Sequence, residues 1–501
     1  MYIKGQRAIL RGETMYHVLD QKKIAEKFSF SHDGISPYEV GIPLVEMSDP
    51  IIEQIYYFRW HTYCKHLKKS PFGWVVTEFL PDVPWAGKHN TISCAAGHHF
   101  YEGRWMHDPA YLQDYGRFWF SEDGEPRRYS FWIANALYAF CSMRGDFSLA
   151  ISLLENLKGN YQDWERDKQT ESGLFWQLAD RDGMEKAIGG DGCRPTINSY
   201  MYGDARAISQ IAVKAGDQAT AREYREKAEK IKSLINQKLW DEDAEFYKTA
   251  SQENLGLVDV REEIGFVPWY FCVPTEDRAV AWKFLNDPKH FKAPFGPTTA
   301  EQTHPDFMKV YRHECWWNGP SWPFATSQTL TALGNLLCDY QQSVMTEADY
   351  FDLLKTYANS HFITAENGER VPFIDENIEP FTGEWLARSI LRKIEPPRKD
   401  VDRGRDYNHS TFCDLVLNGL AGIRVNDGDV LEIHPLFAEQ QLDYFCADGI
   451  LYHGHALTVL WDKNGDRYQH GRGLHILLDG ELIASAKNLQ KIEINLNALK
   501  K

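Results

Sequence analysis

Nowhere in the 501 residues does an apolar run reach the length needed to cross a bilayer, so no membrane partner is expected. A basic stripe is missing too. The chain has 55 Lys and Arg against 71 Asp and Glu, a formal net charge of −16, which excludes nucleic acid because polyphosphate binding needs clustered cations. The nine cysteines, at 64, 94, 141, 193, 272, 315, 338, 413 and 446, stand singly with no Cys-x-x-Cys pair. This scatter matches neither a zinc site nor a disulfide framework and weakly favours a reducing compartment. Also absent are a Gly-x-Ser-x-Gly elbow, a phosphate-cradling Gly loop with Lys-Ser/Thr and a dinucleotide fingerprint after a strand. Met1-Tyr-Ile-Lys-Gly-Gln-Arg7 has no signal-peptide apolar core. The expected location is cytoplasmic if the chain is full length, and periplasmic or secreted if a leader has been removed.

What the chain has in excess is aromatic side chain: 16 Trp, 25 Tyr and 27 Phe. Tryptophans recur in loop-like segments beside Asp, Glu, His and Arg, a setting that suits stacking on the apolar faces of sugar rings and makes carbohydrate the expected partner. Apolar recurrence at three and four residues predicts about a dozen helices. The first is the stripe Ile51, Ile55, Phe58, Tyr63, Leu67, capped by Asp49 with Pro50 in the first turn. Others fall near 109–120, 130–144, 146–158, 197–215, 217–238, 262–272, 278–286, 320–339, 346–362, 384–393 and 409–422. With no repeat consensus, this number of antiparallel helices suggests a closed toroid of helical hairpins rather than an open solenoid. After about residue 428 the period changes to two, in 430–434, 456–460 and 474–484, with a hairpin turn at Asp479-Gly480. The expected organisation is an irregular lead-in over 1–45, a helical domain over 46–427 and an antiparallel β module over 428–501.

Two acidic segments offer the carboxylates that catalysis would need. In Phe373-Ile-Asp-Glu-Asn-Ile-Glu-Pro-Phe-Thr-Gly-Glu-Trp385, the acids Asp375, Glu376 and Glu379 precede a Pro-x-x-Gly turn, and apolar residues stand just upstream. The second segment, 171–191, holds Asp180, Asp182 and Glu185 within six residues, flanked by Trp176 and Arg181, and feeds the helix begun by Arg194-Pro-Thr-Ile-Asn198. Each reads equally as a solvated or salt-bridged loop. Two carboxyl groups from distant parts of a tryptophan-rich chain are what glycoside hydrolysis requires, one protonated to donate to the leaving oxygen and the other ionised.

Tyr311-Arg-His-Glu-Cys-Trp-Trp-Asn-Gly-Pro-Ser-Trp-Pro323 adds Trp316, Trp317 and Trp322 for stacking, with His313, Glu314 and Asn318 for hydroxyls. The blander reading is an aromatic plug. Gly97-His-His-Phe-Tyr-Glu-Gly-Arg-Trp-Met-His107 lacks metal-ligand spacing, and no metal or organic cofactor is expected. Asp400–His409 reads as a salt-bridge loop joining toroid to β module, with Asp406 and His409 alternatively facing the cleft.

The Asn-Gly-Pro-Ser-Trp-Pro stretch at 318–323, Glu376 ahead of Glu379-Pro-Phe-Thr-Gly-Glu384, and the 171–205 segment together resemble the six-hairpin (α/α)6 glycosidases. The kinship is with trehalases and glycoside hydrolase family 63. Arg194–Ala205 and Asp402–His409 look more closely like the bacterial branch with a domain similar to mannosylglycerate hydrolase, part of which belongs to family 142. The resemblance covers roughly residues 50 to 500. It implies an (α/α)6 barrel with a small C-terminal β module, and an exo-acting, inverting hydrolase. Glu376 takes the position of the general base, with Glu379 at a family Asp position. Asp182-Gly-Met-Glu185 matches the acid's pattern and makes Glu185 the aligned acid, a departure from the family's Asp, so Asp182 and Asp180 stay as rivals.

In this reading Trp176, Trp316 and Trp317 wall the pocket, Trp322, Asn318, Asp180, Glu379 and His409 add sugar contacts, and Arg194 and Asn198 hold the loop carrying the acid. A competing reading is another (α/α)-toroid carbohydrate enzyme, a lyase or an epimerase, the latter using a histidine pair drawn from His99, His313 and His409. A non-catalytic sugar-binding toroid is the other.

Overall fold

The computed structural model describes residues 17–30, 34–394 and 400–499. Part of the predicted irregular lead-in, residues 1–16 and 31–33, therefore lies outside the described residues.

Helices arrive in antiparallel succession. The α-helices of eight residues or more among the described residues are α1 (Pro50–Lys65), α2 (Ser93–Gly103), α3 (Ala110–Phe118), α4 (Ile133–Arg144), α5 (Leu154–Lys168), α6 (Pro195–Ala215), α7 (Gln218–Lys238), α8 (Pro323–Asp339), α9 (Glu347–Ser360) and α10 (Leu386–Lys393). Their starts and stops are written in the local sequence. Asp49 accepts from the N–H groups of Ile51 and Ile52 with Pro50 in the first turn, Pro195 and Pro323 open α6 and α8, and Gly145 and Gly216 close α4 and α6 in the left-handed region.

Inner and outer helices differ in how much of their circumference is buried. Every residue of α8 from Pro323 to Leu336 is buried, and nearly all of α1 is too, as befits helices enclosed on all sides. The outer α7 buries one stripe, Thr220, Ala221, Tyr224, Ala228, Ile231 and Ile235, against α6. The ring closes where α9 packs on both α8 and α1.

The C-terminal module holds more strands than the alternation predicted. Strand β1 (Leu44–Met47) comes from ahead of the toroid, β2 (Leu67–Ser70) and β3 (Gly73–Val76) form a separate hairpin, and β4 (Ile423–Arg424) and β5 (Val430–Ile433) begin the module. They are followed by β6 (Tyr444–Tyr452), β7 (His455–Asp462), β8 (Gly473–Leu478), β9 (Glu481–Ala486) and β10 (Ile492–Asn495). The main antiparallel sheet runs β1-β6-β7-β8-β9, with Val45 opposite Ala447 and the Asp479-Gly480 turn joining β8 to β9. A second sheet runs β10-β5-β4. Thus residues near the start of the chain are stitched into the C-terminal module.

Several predicted helices take tighter or wider forms. The 262–272 and 278–286 stretches are largely 3₁₀, Glu263–Phe266 and Glu276–Phe284, with one α turn at Val267–Tyr270. The predicted 409–422 helix is a π-helix over Leu415–Leu420, and 146–158 breaks at Leu153. Conversely α2 was not anticipated. Gly97 is required there because a Cβ would fall inside the Trp132 ring, so packing imposes a helix on a Gly- and His-rich segment.

The Tyr57 hydroxyl fastens α1 to the edge of β1, accepting from Val45 N–H at 2.8 Å and donating to Val45 C=O at 2.7 Å, all of it buried. Tyr57→Phe leaves both backbone groups unsatisfied and is expected to lower stability by about 1–3 kcal/mol in urea unfolding. No change in midpoint would show that this stitch contributes nothing.

Candidate active site

At one mouth of the toroid the loops ahead of α2, α4, α6 and α8 surround a cavity of about 420 Å³. Among its lining groups are the carboxyls of Glu78, Asp180, Glu185, Glu314 and Glu376, the guanidiniums of Arg181 and Arg403, and the rings of Phe79, Trp85, Tyr129, Trp317, Trp322, Phe324, Tyr407 and His409.

Glu376 is the most tightly held of the acids. It is buried, its Oε1 receives Arg403 Nε at 3.1 Å, and its Oε2 receives the Cys315 thiol at 2.8 Å. Arg403 reaches with Nη2 to Glu314 at 2.8 Å and lies over the Trp85 ring at 4.8 Å, so one guanidinium links two segments of the wall. Gly404 makes this approach possible, since a Cβ there would fall on the Asp375 carboxylate and press on Glu376. Asp375 lies behind Glu376, accepts its N–H at 2.8 Å, and is pushed up to about 7 by burial and by the Glu376 charge.

The 402–409 strap is fixed by its backbone. Asp406 N–H donates to Ile374 C=O at 3.1 Å and Asn408 N–H to Glu78 C=O at 3.0 Å, while the carbonyls of Asp406 and Asn408 bond the rings of His66 and His99 at 2.6 and 2.5 Å. His409 is thereby set in the wall with both ring nitrogens free of protein partners, and burial first, then neighbouring histidines and Arg59, keep it neutral. Asp406 turns away to Lys65 at 2.8 Å.

Glu185 sits on a different loop, half-buried, its backbone carbonyl accepting Trp317 N–H at 2.9 Å. Burial, together with the charges of Glu376, Asp180 and Glu314, pushes its carboxyl up to about 7. Glu78 is pushed to about 8, again by burial first, with Glu376 and Glu185 adding and the Tyr407 hydroxyl bond opposing. Both therefore favour the neutral carboxylic acid far more than an ordinary glutamate does.

Several expected site residues support the wall from behind. Asp182 does not line the cavity: it is buried, paired to Arg194 Nε at 2.6 Å, and accepts the hydroxyls of Ser130 at 2.5 Å and Thr196. Arg194 also reaches Gly190 C=O, and Asn198 grips Phe175 through both its N–H and its C=O, at 2.8 Å each. Both tie the acidic loop to α6 and stay out of the cavity. Trp176 lies outside the lining, its ring covered by Lys168 at 4.1 Å. Trp316 is a packing residue whose indole donates to His313 C=O at 2.6 Å, and Asn318 bonds Asp306 and Lys309 carbonyls at 3.0 and 2.9 Å. Glu379 is consumed by the turn it opens, accepting from Phe381 and Thr382 N–H at 3.0 and 2.5 Å.

Asp180, Glu185, Trp317, Trp322, Glu376 and His409 are brought together, with Trp317 and Trp322 stacked at 4.5 Å. Of the histidines weighed for epimerisation, His313 and His409 line the cavity and His99 is a buried strap contact. Glu78, Cys315, Arg403 and Tyr407 went unread as site residues, although Arg403 and Tyr407 lie inside a segment singled out for its charges. Among the described residues no group of three or more His, Cys, Asp or Glu is arranged to hold a metal ion, and no helix is long and apolar enough to cross a membrane.

A helical toroid whose mouth gathers carboxyls from separate loops among aromatic rings defines the six-hairpin glycosidase class. Residues 88–410 match the family described as Mannosylglycerate hydrolase MGH1-like glycoside hydrolase domain, and the chain belongs to that family. Residues 423–484 match the Glycosyl hydrolase family 65 C-terminal domain. A solved structure named "Sialidase" is 39% identical, with a TM-score of 0.88 over 96% of this chain and 45% of that one. The chain thus spans less than half the length of that relative. The fold is shared with the GH78 family rhamnosidase of Bacillus sp. GL1 (14% identity, TM-score 0.56, 84% of this chain and 40% of that one). It is also shared with the GH63 mannosylglycerate hydrolase of Thermus thermophilus (13% identity, TM-score 0.52, 72% and 98%). An uncharacterized protein of Borreliella burgdorferi is 30% identical over 115 residues, 23% of this chain and 24% of that protein.

The contrast between Asp182 and Glu185 is testable by stability alone. Asp182→Ala strands Arg194 in the interior and is expected to cost about 3–5 kcal/mol in urea unfolding. Glu185→Gln, which removes a group already held toward its neutral form, should shift stability by less than about 1 kcal/mol. Equal effects would contradict this division of labour.

Proposed function

We propose that the chain is an exo-acting glycoside hydrolase that removes a terminal neutral sugar with inversion, with Glu185 as acid and Glu376 as base. The observation that carries this reading is the pair itself: two carboxyls on separate loops of one aromatic-walled cavity, one held toward its protonated form and one ion-paired with Arg403. Glu185 gives its proton to the glycosidic oxygen as the bond to the anomeric carbon breaks. Glu376 takes a proton from the water that attacks the opposite face. Arg403 and the Cys315 thiol fix the Glu376 oxygens for that task. Trp317 and Trp322 offer ring faces to the sugar, while His409 and the Glu78 carboxylic acid supply hydrogen bonds to hydroxyls.

The charge of the lining bears on the substrate. A solved relative is named for sialic acid, a carboxylate sugar, and this chain covers 45% of it. Here Asp180, Glu314 and Glu376 stand beside Glu78 and Glu185, which are held toward neutral, and Arg403 is already shared among Glu376, Glu314 and Asp400. With Arg403 so engaged, the wall favours a neutral ring over a carboxylate. The volume, about 420 Å³, is at the small end of ligand sites and suits a terminal residue better than the middle of a polymer.

Glu376→Gln is expected to reduce turnover roughly 10²–10⁴-fold in a protein that still unfolds cooperatively. For the acid the sign follows from its raised pKa: the active form carries the proton, so kcat/KM should fall as pH rises through about 7. Glu185→Gln should abolish that limb along with most of the activity. If Glu185→Gln stays active while Glu78→Gln is dead, the acid is Glu78.

A further inference from the structure

The inner helices of the toroid carry a second polar cavity at their other ends. Cys94 and Phe324, at the starts of α2 and α8, line the carboxylate site, while Tyr101 and Asn335, late in the same helices, line a separate space of about 350 Å³. From Phe324 to Asn335 the helix rises about 16 Å. The interval is filled by His98, Trp132, Tyr200 and Phe324, with His98 to Phe324 and Trp132 to Tyr200 each 4.5 Å between ring centres. The two cavities are therefore distinct and face opposite mouths.

Three arginines and three acids line the second cavity, and two of the three arginines are held in ion pairs. Arg104 is paired with Asp414 at 2.7 Å, Arg424 with Asp339 at 3.3 Å, Asp427 with Lys214 at 2.8 Å and Glu432 with Lys491 at 3.2 Å. Among the described residues Arg206 is in no ion pair, with Tyr202 bonded to it and Asp339 as a more distant opposite charge, and it stands exposed at the rim. Hydrogen-bonding groups are left over as well. Arg424 Nη1 and the Ser142 hydroxyl are buried without a hydrogen-bond partner, and among the described residues no side-chain hydrogen bond occupies the amides of Gln210 and Asn418. Asn418 belongs to the Leu415–Leu420 π-helix, a wide turn that is costly to form and tends to occur where a side chain is presented for use. Unsatisfied buried donors in a native fold call for a partner.

We propose that this opposite mouth is a second ligand site, taking a monosaccharide-sized polyol with one anionic group, a sugar acid or a sugar phosphate. Arg206 binds the anion, and the amides of Gln210 and Asn418, Arg424 Nη1 and the Ser142 hydroxyl take up the hydroxyls. The rings of Tyr101 and Tyr270 supply apolar faces. The volume lies within the roughly 300–1,000 Å³ of small-molecule sites.

The test is calorimetric titration of the full chain with D-glucuronate, D-glucose 6-phosphate, D-glucose and inorganic phosphate. It uses wild type, Arg206→Gln, the double variant Gln210→Leu/Asn418→Leu, and Trp317→Ala as a lesion of the other mouth, with cooperative thermal unfolding checked for each. One or both anionic sugars should bind wild type and Trp317→Ala alike. They should lose about tenfold or more in affinity in Arg206→Gln, the loss expected for a charged hydrogen bond, and bind more tightly than glucose or phosphate. Glucuronate and the phosphate ester, compared directly, identify the anion. Three results would overturn the proposal: no binding by either anionic sugar at millimolar concentration, binding lost in Trp317→Ala but kept in Arg206→Gln, or phosphate alone binding as well as the sugar phosphate.

Discussion

A single buried guanidinium organises the carboxylate site. The Arg403 side chain is 2% exposed, and a charge in that position is tolerated only when its partners surround it. Glu376 and Glu314 do so from two different segments, Asp400 adds a longer contact at 3.4 Å, and Trp85 covers the ring-facing side. Because the partners are carboxylates, the same interaction that makes Arg403 tolerable also fixes the Glu376 oxygens. The negative charge this gathers near Glu185 and Glu78, added to their burial, pushes both upward. Burial is the larger cause for both, and the Glu376 charge that Arg403 holds in place adds to it.

The toroid supplies the frame. Its inner helices begin at the carboxylate mouth, so the loops ahead of α2, α4, α6 and α8 must converge there, and long acid- and tryptophan-rich connections gather at one end for topological reasons. The strap 402–409 then crosses the mouth, held by backbone bonds to Ile374 and Glu78 and by the buried rings of His66 and His99. Its sequence is charged, yet its placement depends on main-chain groups, which fix position more rigidly than long side chains do.

Much of this was legible from the chain. Periodicity located most helices, and the concentration of acid and tryptophan singled out the segments carrying Glu185, Trp317, Trp322 and Glu376. What was lost has physical reasons. Asp182 and Glu185 are three residues apart, and only the packed neighbours Ser130, Arg194 and Thr196 show that one is consumed and the other is not. Trp176 and Trp316 have the right composition but face Lys168 and His313. Glu78 is a lone acid after the β2–β3 hairpin, with no cluster to announce it. Strand β6 escaped because its register shifts between Ala447 and Ile450, around Asp448-Gly449, and nearly all its residues are buried, which erases alternation.

The central claim, that Glu185 and Glu376 form an acid–base pair acting across a sugar, is tested most directly by following anomeric protons by NMR. Purified enzyme would act on α- and β-linked glucosides, mannosides, rhamnosides and arabinofuranosides. Release of one neutral sugar, appearing first as the anomer opposite to the bond cleaved, is the predicted result. Release with the original configuration would replace the inverting pair by a double displacement, and the absence of any released sugar across the series would contradict the account.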